Sequence, residues 1–112
     1  MITEFTIVPA DLEDFKNFAK ELLKVVEEKE PKTLRYQWFF NKDESRSYLV
    51  EEYPNAAALR DHVVHVGIML PKLLKVAKVA KMDVLGNLNP LAAEAIAAFG
   101  PQNYRYWNGL GR

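Results

Sequence analysis

Apolar residues in this chain change their spacing in a fixed order. They fall at every second residue, then every third or fourth, then every second again, and the cycle then repeats. A spacing of two marks a strand, and one of three to four an amphipathic helix. Residues 2–8 alternate around Phe5 and Ile7, and Pro9 closes the segment because proline cannot continue a ladder. Asp11 stands at an N-cap position, and Leu12, Phe15, Phe18, Ala19, Leu22, Val25 and Val26 form the stripe of a long helix. Glu30-Pro31 ends it, since a residue before proline avoids the helical region.

The second cycle runs through two strands first. Thr33 to Asn41 places Leu34, Tyr36, Trp38 and Phe40 on one face, with Arg35, Gln37, Phe39 and Asn41 on the other. Asn41-Lys-Asp-Glu-Ser45 is a polar turn of hairpin length, and Arg46 to Tyr53 returns. Asn55 caps a helix over 56–66 with Leu59, Val63 and Val66 on its stripe. After Gly67, a further helical stretch begins near Ile68 with Pro71 in its first turn and runs through Ala77. A last core strand is expected over 80–86. Asn89-Pro90 then opens an alanine-rich helix to Phe99, stopped by Gly100-Pro101. The tail holds Tyr104, Tyr106 and Trp107, which are expected to pack over the sheet or over a partner subunit.

Two consecutive split βαβ units predict a ferredoxin-like α+β domain, with both main helices on one face of an antiparallel sheet. The chain of 112 residues suits a single domain, with 89–112 as a C-terminal helix and tail extension. The other sheet face would bare apolar groups, Phe39 and Leu49 among them. Pairing two such faces in a homodimer, a dimeric α+β barrel, would cover them.

Composition narrows the chemistry. Fifteen basic residues offset fifteen acidic ones, which argues against phosphate-driven nucleic-acid binding. With no cysteine, thiol nucleophiles, iron–sulfur clusters and cysteine-ligated zinc are excluded. The first eight residues carry an acid and no base, unlike a secretory signal, and no apolar run approaches membrane length. A cytoplasmic home without membrane association is the expectation. Glycine-rich phosphate loops and a serine–histidine–aspartate order are missing.

Both histidines lie on the second helix. His62 sits at the edge of the apolar stripe, facing the sheet, where a near-neutral pKa suits a general base or a hydrogen-bond donor to a ligand. It would equally suit a histidine capped by Glu51 or by a backbone carbonyl. His62 and His65, three apart, lack a convincing third partner, so no metal is expected. Glu51 reaches His62 if its face of the strand meets the helices; a register one residue off would bring Glu52 instead. Tyr36, Trp38 and Phe40 form an aromatic row that serves as core or as the floor for a planar ligand.

Leu34-Arg-Tyr-Gln-Trp38, the hairpin, Glu51-Glu-Tyr53 and Ala57-Ala-Leu-Arg-Asp-His62 together resemble the antibiotic biosynthesis monooxygenase family. The segment from Gly86-Asn-Leu-Asn-Pro-Leu onward is similar to the C-terminal extension of some members. The resemblance implies small dimeric α+β barrel proteins with a pocket in each subunit between helices and sheet. Some relatives oxidise polycyclic phenols or quinols with molecular oxygen and neither metal nor flavin; the deprotonated substrate itself reduces the oxygen. His62 would then be the acid/base group, with Tyr36, Trp38, Glu51 and His65 around a small aromatic substrate, and no cofactor. A haem-degrading relative would need an axial histidine further along, and Met69-Leu-Pro-Lys72 offers none. The alternative is a non-catalytic small-molecule-binding or dimerisation module of the same fold.

Overall fold

A computed structural model describes residues 1–112. The strands are β1 (Ile2–Thr6), β2 (Arg35–Phe40), β3 (Arg46–Glu52), β4 (Lys78–Leu85) and β5 (Gln102–Tyr104). The helices are α1 (Leu12–Lys29), α2 (Ala56–Val66), α3 (Leu70–Val76) and α4 (Pro90–Ile96), with single 3-10 turns at Pro9–Asp11 and Ala97–Phe99. The strands form one sheet in the order β2-β3-β1-β4-β5, antiparallel except for the β4–β5 pair. This is the expected ferredoxin-like α+β arrangement, with a short parallel strand added at one edge. No helix is long and apolar enough to cross a membrane.

Helix α1 buries Phe15, Ala19, Leu22 and Val26. Phe15 meets Phe5 of β1 and Trp38 of β2, with ring centroids 5.7 and 5.6 Å apart, so three aromatics from three elements fix α1 on the sheet. Helix α2 starts at Asn55, whose side chain accepts from the Ala58 N–H at 2.9 Å, and α4 starts at Asn89, which accepts from Ala92 in the same way at 2.8 Å.

Three local expectations change. Asp11 makes no side-chain cap for α1, because Pro9 opens a 3-10 turn that leads directly into the helix. β4 begins at Lys78, two residues before the expected start. Across from it, Glu4 pairs with Lys81 and Phe5 with Val79, so Ala80 is an unpaired bulge residue. The inward side chains switch there from Val79 to Met82 and Val84, which breaks the period of two and hides the first part of the strand. Leu49 does not lie on the bare face with Phe39; it is buried beneath the helices and pairs with Trp38.

The tail also departs from expectation within one chain. Gln102–Tyr104 extends the sheet, and the Gly86 N–H donates to the Tyr104 carbonyl at 2.7 Å. Tyr106 and Trp107 do not pack over their own sheet and stand 70% and 90% exposed. Gly86 (φ +116°) and Gly100 (φ +60°) turn the chain into and out of the α4 segment in conformations that side chains rarely adopt.

Candidate functional site

The site lies where the end of α1, the end of β3 and the middle of α2 meet. On β3, Ser47, Leu49 and Glu51 alternate inward, which settles the register: Glu51 points toward the helices, while Glu52 is exposed and contacts Arg35 at 3.3 Å. Tyr36 is the cross-strand partner of Glu51, so both side chains rise from the same side of the sheet. On α2, Ala58, Leu59, His62 and Val66 are buried, placing His62 within the inward stripe rather than at its edge.

His62 bridges two carboxylates. Its Nδ1 lies 2.9 Å from Oε1 of Glu30, and its Nε2 lies 3.3 Å from Oε1 of Glu51. The Tyr53 hydroxyl donates to the same Glu51 oxygen at 2.7 Å, and the Thr33 hydroxyl donates to Oε1 of Glu30 at 3.0 Å. The imidazole is flanked by the rings of Tyr36 and Tyr53, at centroid distances of 5.3 and 5.4 Å. Burial opposes charge on His62, but the hydrogen bonds and fields of Glu51 and Glu30 outweigh it and hold its pKa above the ordinary value of 6.5. Burial, reinforced by the same carboxylates, pushes the Tyr36 and Tyr53 hydroxyls well above the usual phenol range and keeps them neutral.

A cavity of about 70 Å³ lies between the helices and the sheet, walled largely by apolar side chains. Thr3, Tyr36, Trp38, Glu51 and His62 line it, and the Thr3 hydroxyl and the Trp38 indole N–H have no partner in the protein. Glu51 and Tyr53 also border a larger surface cleft of about 280 Å³ beside the 86–88 turn. Glu51 therefore lines both the surface cleft and the apolar cavity.

His65 is not among the cavity residues. It lines a separate, polar surface pocket of about 170 Å³ with Lys29, Lys32, Thr33, Asp61 and Glu30 itself. Its Nδ1 lies 3.3 Å from Oε2 of Glu30, on the far side of that carboxylate from the cavity. No three histidine or carboxylate side chains converge to hold a metal ion.

Glu30 is the group that reading the sequence as helix and stop overlooks. It is the C-cap of α1, its N–H bonded to the Val26 carbonyl at 3.0 Å, and its side chain is buried. The signal was present in the spacing. Phe15, Ala19, Leu22 and Val26 step by four, three and four, and one further step of four reaches Glu30 on the inward face.

The chain matches no protein-family model and no curated protein. Among solved structures it is similar to MupZ from Pseudomonas fluorescens, at a TM-score of 0.87 and 23% identity over 99% of this chain and 91% of that one. It is similar to a candidate antibiotic biosynthesis monooxygenase from Bacteroides thetaiotaomicron, at 0.63 and 22% over 70% and 77%. A structure called an antibiotic biosynthesis monooxygenase aligns at 0.57 and 23% over 70% and 87%. The chain has the fold of these monooxygenases, and its likeness to MupZ extends through the C-terminal helix and tail.

Proposed function

We propose that this chain is a cofactor-independent oxygenase of the antibiotic biosynthesis monooxygenase type, acting on a small phenol or quinol held beside His62. The observation that carries this reading is a histidine clamped between two buried carboxylates at the wall of an apolar, aromatic-lined chamber. Such a wall concentrates acid/base capacity where little water competes for it.

In this mechanism the chamber of about 70 Å³ widens to admit the ring, which Tyr36 and Trp38 hold, and Glu51 takes the hydroxyl proton. The His62 imidazolium faces the resulting anion and offsets its charge. The electron-rich ring then reduces dioxygen. One oxygen atom enters the ring as a carbonyl; the other leaves as water with the hydroxyl hydrogen and the displaced ring hydrogen. The phenol becomes a quinone and the protein returns unchanged. Tyr36 and Tyr53, held neutral, contribute hydrogen bonds and surface rather than charge.

The working unit in this proposal is a homodimer. Phe39 and Tyr48 are directly opposed on β2 and β3, on the sheet face away from the helices, and are 52% and 46% exposed. A second copy laid against that face would bury them.

Oxygen consumption with a panel of naphthols and hydroquinones tests the reading, comparing wild type with His62→Ala. Uptake that falls at least about a hundredfold in the variant supports it, the loss expected for removing a group that stabilises developing charge. Uptake unaffected by the substitution removes His62 from the mechanism. A second reading is a non-catalytic binding module, favoured by the fact that both ring nitrogens of His62 already face carboxylates. Ligand binding without oxygen uptake on any compound would select it.

A further inference from the structure

The acid/base groups of the site continue beyond the cavity. His65 Nδ1 is 3.3 Å from Glu30 Oε2, Glu30 Oε1 is 2.9 Å from His62 Nδ1, and His62 Nε2 is 3.3 Å from Glu51 Oε1. Oε2 of Glu30 also lies 3.1 Å from His62 Nδ1, so one carboxylate oxygen faces both histidines, while the two ring nitrogens of His62 face different carboxylates. The two ends of the series lie in different surroundings: His65 borders a pocket of charged and polar side chains, and Glu51 borders an apolar chamber.

We infer that His65, Glu30 and His62 form a proton relay that connects the polar surface pocket to the cavity, with His65 as its solvent-side end. The inference rests on the roles given above to Glu51 as proton acceptor and to His62 as its charged neighbour. A protonated His65 delivers its proton to Oε2 of Glu30. The carboxylic acid passes that same proton from Oε2 to Nδ1 of a neutral His62, 3.1 Å away, and the imidazolium so formed releases the proton on Nε2 to Glu51. One proton enters, one leaves, and no charge stays behind. In the reverse direction, the relay removes the proton that Glu51 collects from a ligand.

A relay is useful here because a ligand filling an apolar chamber blocks the route through water. His65 Nδ1 is buried, lies 3.3 Å from Oε2 of Glu30 and has no hydrogen-bond partner, so the relay requires its ring to turn before a proton passes. The remaining side chains of that pocket set its polarity. Lys29, Lys32 and Asp61 line it beside His65 and Glu30, and Thr33 donates to Glu30 Oε1. None of them bridges to His62; His65 does so through Glu30.

The test needs no substrate. In the full chain with ¹⁵N-labelled histidine, saturation transfer from water measures how fast the ring N–H protons of His62 exchange. His65→Gln and His65→Ala are expected to slow that exchange about tenfold or more, since the groups then left in contact with His62, Glu30 and Glu51, have side chains only 4% and 3% exposed, against 32% for His65. Added imidazole is expected to restore it in His65→Ala, with the circular dichroism spectrum unchanged throughout. A rate within about twofold of wild type, a faster rate, or a slowing that imidazole does not reverse overturns the relay. With no ligand in the tube, failure here leaves the oxygenase reading standing. Absence of oxygen uptake, in turn, leaves the exchange result unaffected.

Discussion

Nδ1 of His62 lies 2.9 Å from Oε1 of Glu30, which ties the middle of the second helix to the residue that closes the first. Both side chains are buried. Removing one member of a buried charged pair leaves its partner desolvated and uncompensated, at a cost of about 3–5 kcal/mol. Glu30→Ala is therefore expected to lower unfolding stability by about 3 kcal/mol. Glu52→Ala, on the exposed face of β3, is expected to shift it by less than about 0.5 kcal/mol. Urea midpoints of the two variants make the comparison; equal small effects would mean that Glu30 is not held in the interior.

The same network makes stability depend on pH. His62 has a folded-state pKa above its unfolded value of 6.5. A group whose pKa is raised on folding stabilises the native state most where it is protonated in both states, below the unfolded value. Its contribution is lost as pH rises from 6.5 through the folded-state value. The stability difference between wild type and His62→Gln, followed by urea unfolding from mildly acidic to alkaline pH, should shrink as pH rises. A difference that grows with pH would contradict protonation of His62 by its carboxylates.

Much of this arrangement is legible in the sequence. Period-two and period-three-to-four spacing marks every major element, and Asn55 and Asn89 mark two helix starts to the residue. The alternation of Leu49 and Glu51 turns Glu51 rather than Glu52 toward His62. Two features escape for physical reasons. The bulge at Ala80 shifts the inward parity of β4, so the strand does not announce its first half. Glu30 looks like the solvated end of a helix, and only its position on the Phe15–Val26 stripe shows that a charge is carried inside. His65, one turn beyond His62 in sequence, faces a different pocket, because three residues rotate a helix side chain by about 60° from a full turn.

Tyr53 shares a Glu51 oxygen with His62, so the two compete for one acceptor. The hydroxyl donates at 2.7 Å and withdraws negative charge from the oxygen that also faces Nε2 of His62 at 3.3 Å. Tyr53→Phe removes that donor while leaving the ring against the imidazole. Glu51 then holds the His62 proton more strongly, and the His62 pKa is expected to rise further. Loss of a hydrogen bond to a charged group also costs about 1.5 kcal/mol or more of stability. An NMR titration of the His62 ring carbons in both proteins reads the shift; a lower pKa in the variant would show that Tyr53 acts on His62 mainly through burial.

The open sheet face leads to a prediction about assembly. Phe39 and Tyr48 are a cross-strand pair pointing away from the helices, beside the exposed Phe40, and no part of the chain covers them. Two rings side by side on a sheet are a poor surface to leave in water, yet an economical centre for an interface between identical faces. A pair of guanidiniums brought to that centre would have to be desolvated against their own symmetry copies, with Glu4, the cross-strand neighbour of Tyr48, able to receive only one of them. Light scattering after gel filtration is therefore expected to give wild type twice the 12.9 kDa chain mass, and Phe39→Arg with Tyr48→Arg the single mass. The fold should survive, because both positions lie outside the core. A monomeric wild type at tens of micromolar, or a doubly substituted chain that stays dimeric, would place the partner elsewhere. Of the remaining exposed aromatics, Tyr106 and Trp107 would then be the next surface to substitute.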